Sequence, residues 1–435
     1  MTKNYIFRNE KTNLANMRKV EGLIDSDILG DFDLPRLHQM LQKALQNASM
    51  DIGVQLLGSF LEQEVISLCG ERSQRTENRR HYRHGKQKGY AYLGGQRVRL
   101  DKPRVLKTDG EGEARLTTYE RMQDRDRFGE DVLRRMLNGV SCRRYDKVID
   151  HAAERLTVRK SSISAAFRAK TAETLKEYER RPLHGEDWVA VFIDGKPIAD
   201  EMMICALGVD IHGKKRLLGV RQGHTENAEV VKSLLVDLRE RGLSASAGIL
   251  FIIDGSKALR NAIQQVFGDR AYIQRCRVHK KRNVLEYLSE ELREKFDGMI
   301  SGAYQETDHP TALNRLRGVV HELGKVNPDA ARSLEEGLEE TCTVLRLGVS
   351  GVLLKSLSTT NPIESVNSMV ATTVGRVKRW RGNDMRKRWL AAAMIEAEGR
   401  LRSLRGYTAL PELQSRMLAE IEKKFGKLEK AKEVA

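Results

Sequence analysis

The chain has 435 residues, 40% of them apolar and 31% charged, enough for two or three domains with sizeable cores. Seventy-six Lys and Arg against 60 Asp and Glu give a formal charge of +16, which favours a polyanionic partner, nucleic acid first. No stretch nears the roughly 20 apolar residues of a membrane span, the first residues lack the apolar core of a signal peptide, and five scattered cysteines (69, 142, 205, 276 and 342) fit a reducing compartment. A membrane protein and a disulfide-stapled secreted domain are therefore excluded as expectations, and a cytoplasmic placement is expected.

Segment 1–70 starts polar to about residue 30. From Leu34 to Cys69 apolar residues recur at helical spacing (Leu37, Met40, Leu41, Leu45; Leu56, Leu57, Phe60, Leu61), predicting two helices. Segment 71–128 opens with a basic stretch. Between Glu71 and Lys107, twelve Lys and Arg stand against three acids, a net of +9. Within it, Gly89 to Leu100 predicts a hairpin turning at Gly94-Gly95. Tyr82, Tyr90 and Tyr92 interleave with Arg79, Arg80, Arg83, Lys86, Lys88, Arg97 and Arg99. A solvated basic ribbon would share that pattern, but the interleaving favours a surface that grips DNA phosphates.

Segment 129–180 predicts helices separated by short turns. Val132, Leu133, Met136, Leu137 and Val140 form one stripe; Val148, Ile149, Ala152, Ala153 and Leu156 form a second. Ser161 then caps a third helix burying Ile163, Ala166 and Phe167. With Arg159, Lys160 and Arg168 left outside, the order fits a helix-turn-helix reader, although plain three-helix packing gives the same stripes.

Segment 187–283 is the most informative. Trp188 to Asp194 and Ile249 to Asp254 are two hydrophobic runs that each end in Asp-Gly. Each reads as a buried strand delivering a carboxylate at its exit, where an unpaired charge would be too costly inside. Met202–Gly208 and Lys215–Val220 predict two further strands. A helix capped by Thr225 follows, carrying Val230, Val231, Leu234, Leu235 and Leu238. Another helix runs from Ser256 to about Phe267, and a short strand from Ala271 to Gln274. A crossover helix returns its strand parallel to one already in the sheet. If that neighbour is the first strand, Asp194 and Asp254 emerge side by side, about 4.8 Å between strands. Asp200, Glu201 and Asp210 read as loop acids.

Three local features then carry a family resemblance: the strand ending at Asp194; Ile252-Ile-Asp254-Gly-Ser-Lys with Cys276-Arg-Val-His279 downstream; and Thr359-Thr-Asn361-Pro-Ile-Glu364-Ser-Val-Asn367. In that order they resemble the Mutator-type bacterial insertion-sequence transposases, often named after the IS256 element, within the DDE superfamily. The resemblance implies an α/β catalytic core, a ribonuclease-H-like mixed sheet with flanking helices. An all-helical insertion (284–356) interrupts it, and 357–405 completes it. A mainly helical DNA-binding region with the basic hairpin precedes the core. The resemblance further implies Asp194, Asp254 and Glu364 as catalytic and metal-binding acids, with Cys276 and His279 near them. From the residues themselves, 406–435 reads as a charged C-terminal helix that serves either pairing between subunits or nothing specific.

The chemistry implied is metal-dependent cleavage of DNA at terminal inverted repeats and transfer of the freed 3′ ends into target DNA. Two Mg²⁺, for which Mn²⁺ can substitute, suit hard carboxylate ligands and a weak nucleophile attacking an anionic phosphate. On this reading Asp194 is shared by both ions, Asp254 completes one site and Glu364 the other. The partners implied are double-stranded DNA and a second copy of the chain in a homodimer, with the protein on the bacterial nucleoid. Two rival readings are a silent DNA-binding descendant and a nuclease without strand transfer. Each acid also has a local alternative, Asp194 and Asp254 as turn residues and Glu364 as part of a capping box after Asn361 and Pro362. Cys276 and His279 lack a second pair for a structural zinc. Lys280, Lys281 and Arg282 are offered to phosphates. So is the segment Arg376 to Arg405, with ten Lys and Arg against three acids, including Lys378, Arg379, Trp380 and Arg381. Trp380 and Trp389 are either base-stacking platforms or core residues, the second favoured.

Overall fold

The computed structural model describes residues 34–73, 79–93, 95–123, 125–148, 155–156, 159–198, 201–223 and 228–433. The chain divides into two compact units, one formed by Met1–Asp131 with Cys142–Ile163 and the other by Val132–Ser141 with Ser164–Ala435. The expectations placed on residues 1–30, Gly94, Ile149, Ala152, Ala153, Asp200 and Thr225 lie outside the described residues.

In the first unit, α1 (Leu34–Cys69) is one continuous helix where two were predicted. No proline interrupts its backbone ladder, so nothing forces a break between the two apolar runs. Leu57, Leu61, Val65 and Cys69 pack against Ala91, Val98, Leu100 and Val105 of an antiparallel hairpin. Its strands β1 (His81–Leu93) and β2 (Gln96–Lys107) pair from Leu93↔Gln96 to His81↔Lys107, longer than predicted, with an irregularity between Arg83 and Lys86. Leu93↔Gln96 leaves two residues for the turn, and Gly95 supplies a positive φ of 74° there. Helix α2 (Thr117–Met122) receives the Glu64 carboxylate at its first N–H groups, 2.6 and 3.0 Å from Thr117 and Thr118.

Helix α3 (Arg125–Leu137) and the single turn α4 (Tyr145–Val148) follow. The helix predicted to reach Leu156 does not: Arg155–Leu156 is a short strand, β3, paired with Arg97 and Val98 of β2. The open edge of β2 offers backbone partners to this segment, and that pairing overrides the helical spacing of the side chains. The second predicted stripe therefore does not continue as helix to Leu156, and residues 149–154 lie outside the described residues. Helix α5 (Lys160–Arg180) begins one residue before Ser161 and buries Ile163 and Phe167 as expected.

The second unit is built on a five-stranded sheet. β4 (Trp188–Ile198), β5 (Glu201–Asp210) and β6 (Lys215–Gly223) form an antiparallel meander. After α6 (Ala228–Glu240), β7 (Ile249–Ile253) returns parallel to β4, in the register Ala190↔Leu250 through Ile193↔Ile253. Helix α7 (Lys257–Phe267), capped by the Ser256 hydroxyl, leads to β8 (Ala271–Arg275), parallel to β7. The spatial order β6-β5-β4-β7-β8 puts the two Asp-bearing strands at the centre. Both are buried on both faces, which is why they read as near-continuous apolar runs.

Side-chain alternation sorts the two faces. Val191, Ile193, Phe251 and Ile253 meet the apolar stripes of α6 and α7. Ala190, Phe192, Leu250 and Ile252 meet residues from the end of the chain. Those come from α14 (Asn361–Val374), α15 (Asn383–Glu398) and α16 (Leu410–Glu433). Between β8 and α14 the chain is helical: α8 (Arg277–Glu286), α9 (Glu290–Tyr304), α10 (His309–Val326), α11 (Pro328–Glu335), α12 (Thr343–Arg346) and α13 (Gly351–Leu357). Val284, Phe296, Ile300, Leu316, Leu323 and Leu334 belong to a separate apolar cluster in this stretch. In the C-terminal helix, Leu410, Leu413, Met417 and Ile421 complete the apolar layer under β4 and β7. Its charged residues masked that stripe in the sequence.

Candidate active site

The alternation along β4 decides where Asp194 points. Phe192 faces the α14 side, so Asp194, two residues on, shares that face. The strand does not end there, as predicted, but continues to Ile198 with Asp194 opposite Cys205. What ends is the ladder to β7, whose last pair is Ile193↔Ile253. Asp194 and Asp254 therefore each follow directly on the final pair of two adjacent parallel strands. Asp254 opens the turn into α7, with its Oδ1 accepting the Ser256 N–H at 3.0 Å.

The third acid comes from α14. Thr360, not Asn361, is the N-cap residue, and Asn361 and Pro362 already lie in the first turn. No side chain caps the helix, so Glu364 is not serving a capping box. Its Oε1 instead accepts the Thr360 hydroxyl at 2.6 Å, with His279 Nε2 3.7 Å away. One turn further along α14, Asn367 is fully buried and donates from Nδ2 to Asp194 Oδ2 at 2.9 Å.

Each of the three acids thus has one oxygen held by a protein donor. The second oxygen of each accepts no hydrogen bond among the described residues, and neither Asp194 nor Asp254 forms an ion pair among them. Burial first, then the Asp254 and Glu364 charges, push the Asp194 carboxyl up from 3.8 to about 6, against the opposing pull of Asn367 and His279. The donor set is chemically suited to a hard divalent cation, which is oxygen-seeking and would relieve this repulsion. Among the described residues no three His, Cys, Asp or Glu side chains are already gathered closely enough to hold a metal ion.

His279 Nε2 lies 3.7 Å from Glu364 Oε1, and Cys276 is the N-cap residue of the helix that carries His279. Cys276 is fully buried, and its backbone N–H donates to Ile253 O at 2.7 Å. Its Sγ accepts from the backbone of His279 and Thr360, each at 3.5 Å. Burial pushes the thiol up, but the hydrogen bonds from His279 and Thr360 together bring it below its ordinary value. His279 is raised, first by its hydrogen bond with Cys276, then by that sulfur's charge and by Glu364 and Asp254, despite burial. Sequence reasoning passed over Thr360 and Asn367. Their spacing from Glu364, four residues before and three after, was the available signal, because it puts all three on one helix face.

The basic candidates divide. Arg80, Lys86, Lys88 and Arg99 are exposed on the hairpin, as are Arg159, Lys160 and Arg168 around the start of α5. Arg79 is exposed just before the hairpin, whereas Arg83 is tied to Glu62 (2.7 Å) and to Gly70 O. Lys88 pairs with Asp101 at 3.0 Å, and Arg97 lies over the Tyr90 ring, 3.6 Å from its centroid. Lys280 is not available to a phosphate: it is buried and donates at 2.7 Å to the carbonyls of Ser333 and Glu336. Lys281 is paired with Asp297 at 2.7 Å, while Arg282 is exposed. Lys378, Arg379 and Arg381 are exposed, and Trp380 between them rests partly buried on the apolar layer. Trp389 is buried against Phe167, ring centroids 4.7 Å apart.

The family model described as "Transposase, Mutator family" matches residues 34–399. A transposase for insertion sequence element IS6120 from Mycolicibacterium smegmatis is 29% identical over 231 residues, covering 52% of this chain and 69% of that protein. The transposase for IS256 in transposon Tn4001 from Staphylococcus aureus is 25% identical over 312 residues, 68% and 76% of the two chains. The transposase for ISRM5 from Rhizobium meliloti is 25% identical over 369 residues, 82% and 90%. With the matched family model spanning most of the sequence and enclosing all three acids, the chain belongs to the Mutator family of transposases.

Proposed function

We propose that this protein is a DDE-type DNA transposase that binds the terminal inverted repeats of an insertion sequence, cleaves DNA there and joins the 3′ ends to target DNA. On this reading the five-stranded sheet is a ribonuclease-H-like core and the helices before α14 are its insertion. The observation that carries the proposal is the arrangement of the acids. Asp194 and Asp254 each follow the last pair of the parallel β4–β7 ladder, at the same level, and Glu364 is linked to them through Asn367, Thr360 and Cys276.

Asp194, Asp254 and Glu364 would hold Mg²⁺ or Mn²⁺, each through the oxygen that no protein donor claims. Such ions supply an activated nucleophile and stabilisation of the departing oxygen in an in-line displacement at phosphate. The protein's own share is to orient the acids. Asn367 holds Asp194 Oδ2, the Ser256 N–H holds Asp254 Oδ1, and Thr360 holds Glu364 Oε1. The exposed basic residues of the hairpin, together with Arg159, Lys160, Arg168, Arg282, Lys378, Arg379 and Arg381, would engage DNA phosphates, an interaction that carries affinity rather than sequence choice. Because two element ends must meet, a homodimer is the expected working form, acting on DNA in the bacterial cytoplasm.

The test is Glu364→Gln in the full-length protein, with end-DNA binding and end cleavage measured side by side. Binding is expected to persist while cleavage falls by at least about a hundredfold, more than the loss of an outer partner of a ligand would cause. Retained cleavage removes Glu364 from the chemistry. Supplying pre-cleaved ends with a target plasmid separates a transposase, which yields joined product, from a nuclease, which does not.

A further inference from the structure

The hydrogen bonds around Thr360 carry an inference that rests on the metal-binding role proposed for Glu364. Thr360 is fully buried, and its single hydroxyl proton has three candidate acceptors: Glu364 Oε1 at 2.6 Å, His279 Nδ1 at 3.2 Å and Cys276 Sγ at 3.4 Å. A charged oxygen at the shortest distance takes the proton. The Thr360 oxygen is then an acceptor toward His279, which must carry its proton on Nδ1 to be satisfied there, and Cys276 Sγ is served by the backbone N–H groups of His279 and Thr360. Both the hydroxyl and the imidazole Nε2, 3.7 Å away, lie against the same carboxylate oxygen, Oε1. Oε2 is left clear.

The backbone of Thr360 points the other way. Its N–H lies 3.5 Å from Cys276 Sγ, and the Cys276 N–H donates to Ile253 O, the residue before Asp254. A second strut crosses from Arg277 N to Ser358 O at 3.0 Å. Glu364 is therefore joined, through Thr360 and Cys276, to the end of the strand that delivers Asp254. Within α14 the same helix carries Asn367 to Asp194.

We infer that Thr360 is a positioning residue: its hydroxyl pins one oxygen of Glu364 while its backbone ties the start of α14 to the β7 terminus, so that the third acid is held in register with the second and presents its free oxygen to a divalent cation. Cys276 is the sulfur bracket of this tie. Thr360 itself touches no reacting atom.

The experiment is Mn²⁺ binding to the DNA-free full-length protein, followed by electron paramagnetic resonance, for wild type, Thr360→Val and Thr360→Ser. Valine keeps the shape and removes the hydroxyl. Half-saturation is expected to move to about tenfold higher Mn²⁺ or more in Thr360→Val, the cost of losing an outer-shell partner of a metal ligand. Thr360→Ser is expected to stay within about threefold of wild type by the same logic, since the donor is kept. End-DNA affinity in the absence of metal should be unchanged in both. In a Glu364→Gln background, Thr360→Val should add nothing further, because it acts through that carboxylate. An unchanged Mn²⁺ midpoint in Thr360→Val, equal impairment of Val and Ser, or a full effect surviving in the Gln background each overturns the inference. If Thr360→Val does not fold, Thr360→Ala against Thr360→Ser carries the same comparison. Failure of the underlying function reading looks different: Glu364→Gln would then itself bind Mn²⁺ as wild type does and still cleave.

Discussion

Asp194→Asn should make the metal-free protein more stable near neutral pH, not less. Asp194 is 8% exposed, feels the charges of Asp254 and Glu364, and gives up its proton at about 6 instead of 3.8. At about 1.4 kcal/mol per pH unit, ionising it in the folded state costs close to 3 kcal/mol. The sign follows from the raised value. Below about 3.8 the group is protonated in folded and unfolded chains alike and this contribution to stability is intact; it is lost as pH rises through 6. Asparagine has no charge to lose and can still present its carbonyl to Asn367 Nδ2. The charge-assisted bond from Asn367 is already counted in that cost, because it lowers the Asp194 value. The net expectation is a variant about 3 kcal/mol more stable than wild type at pH 7.5 in EDTA, with the gap closing toward pH 4. Urea unfolding of the full chain at a series of pH values, read by a probe in the second unit, measures it. Saturating Mg²⁺ should stabilise wild type and erase the advantage, since an ion binding only the native state shifts unfolding by mass action. A gap of the opposite sign at pH 7.5, or one independent of pH between 4 and 7.5, would refute the argument that burial and the neighbouring acids make the ionised Asp194 costly to the fold.

Four further outcomes are expected. Trp389→Ala should cost about 3–5 kcal/mol in unfolding experiments, because the indole fills core space against Phe167, while end-DNA affinity per folded molecule stays the same. Met417→Ala should cost about 2–5 kcal/mol by the same measurement, as expected for a core residue and not for a solvated tail. Alanine at Arg80, Lys86 and Arg99 together should lower affinity for any duplex and reduce the log–log salt slope by about one for each phosphate no longer neutralised, with sequence preference unaltered. Lys280→Met should depress the unfolding midpoint and leave DNA affinity unchanged, since its ammonium is spent on two carbonyls of the helical stretch.

What was legible in the sequence followed from strong periodic signals. Two β-branched runs closing on Asp-Gly, with a crossover helix before the second, were enough to derive a parallel return to the sheet but left its neighbour open, and β7 pairs with β4. The hairpin register was legible for a similar local reason, since a two-residue turn must join Leu93 and Gln96. The failures share a cause of their own, because the deciding partner lies far away in sequence. Leu156 joins a strand because β2 has an open edge, which no window around Leu156 contains. Asp194 lies inside β4 because Cys205 continues the pairing beyond the point where β7 stops. Leu413, Met417 and Ile421 are core because β4 and β7 need a cover on one face. At the site, side-chain chemistry and motif order pointed to the three acids, but the residues that hold them, Asn367 and Thr360, are ordinary helix-start and helix-face residues until the fold shows what they touch.

The separate apolar cluster of the helices between β8 and α14 has a kinetic consequence. More than a hundred residues of chain separate Asp254 from Glu364, and closing so long a span carries an entropic penalty that grows with its length. Helices that bury their own stripes against near neighbours condense quickly, ahead of pairings between distant segments. Once condensed, they act as a clasp: the flexible distance left to search is short, and the sheet can capture α14 from close by. Loosening that cluster, for example at Phe296 or Leu316, would then slow the arrival of the last acid even in molecules that finally reach the same native structure.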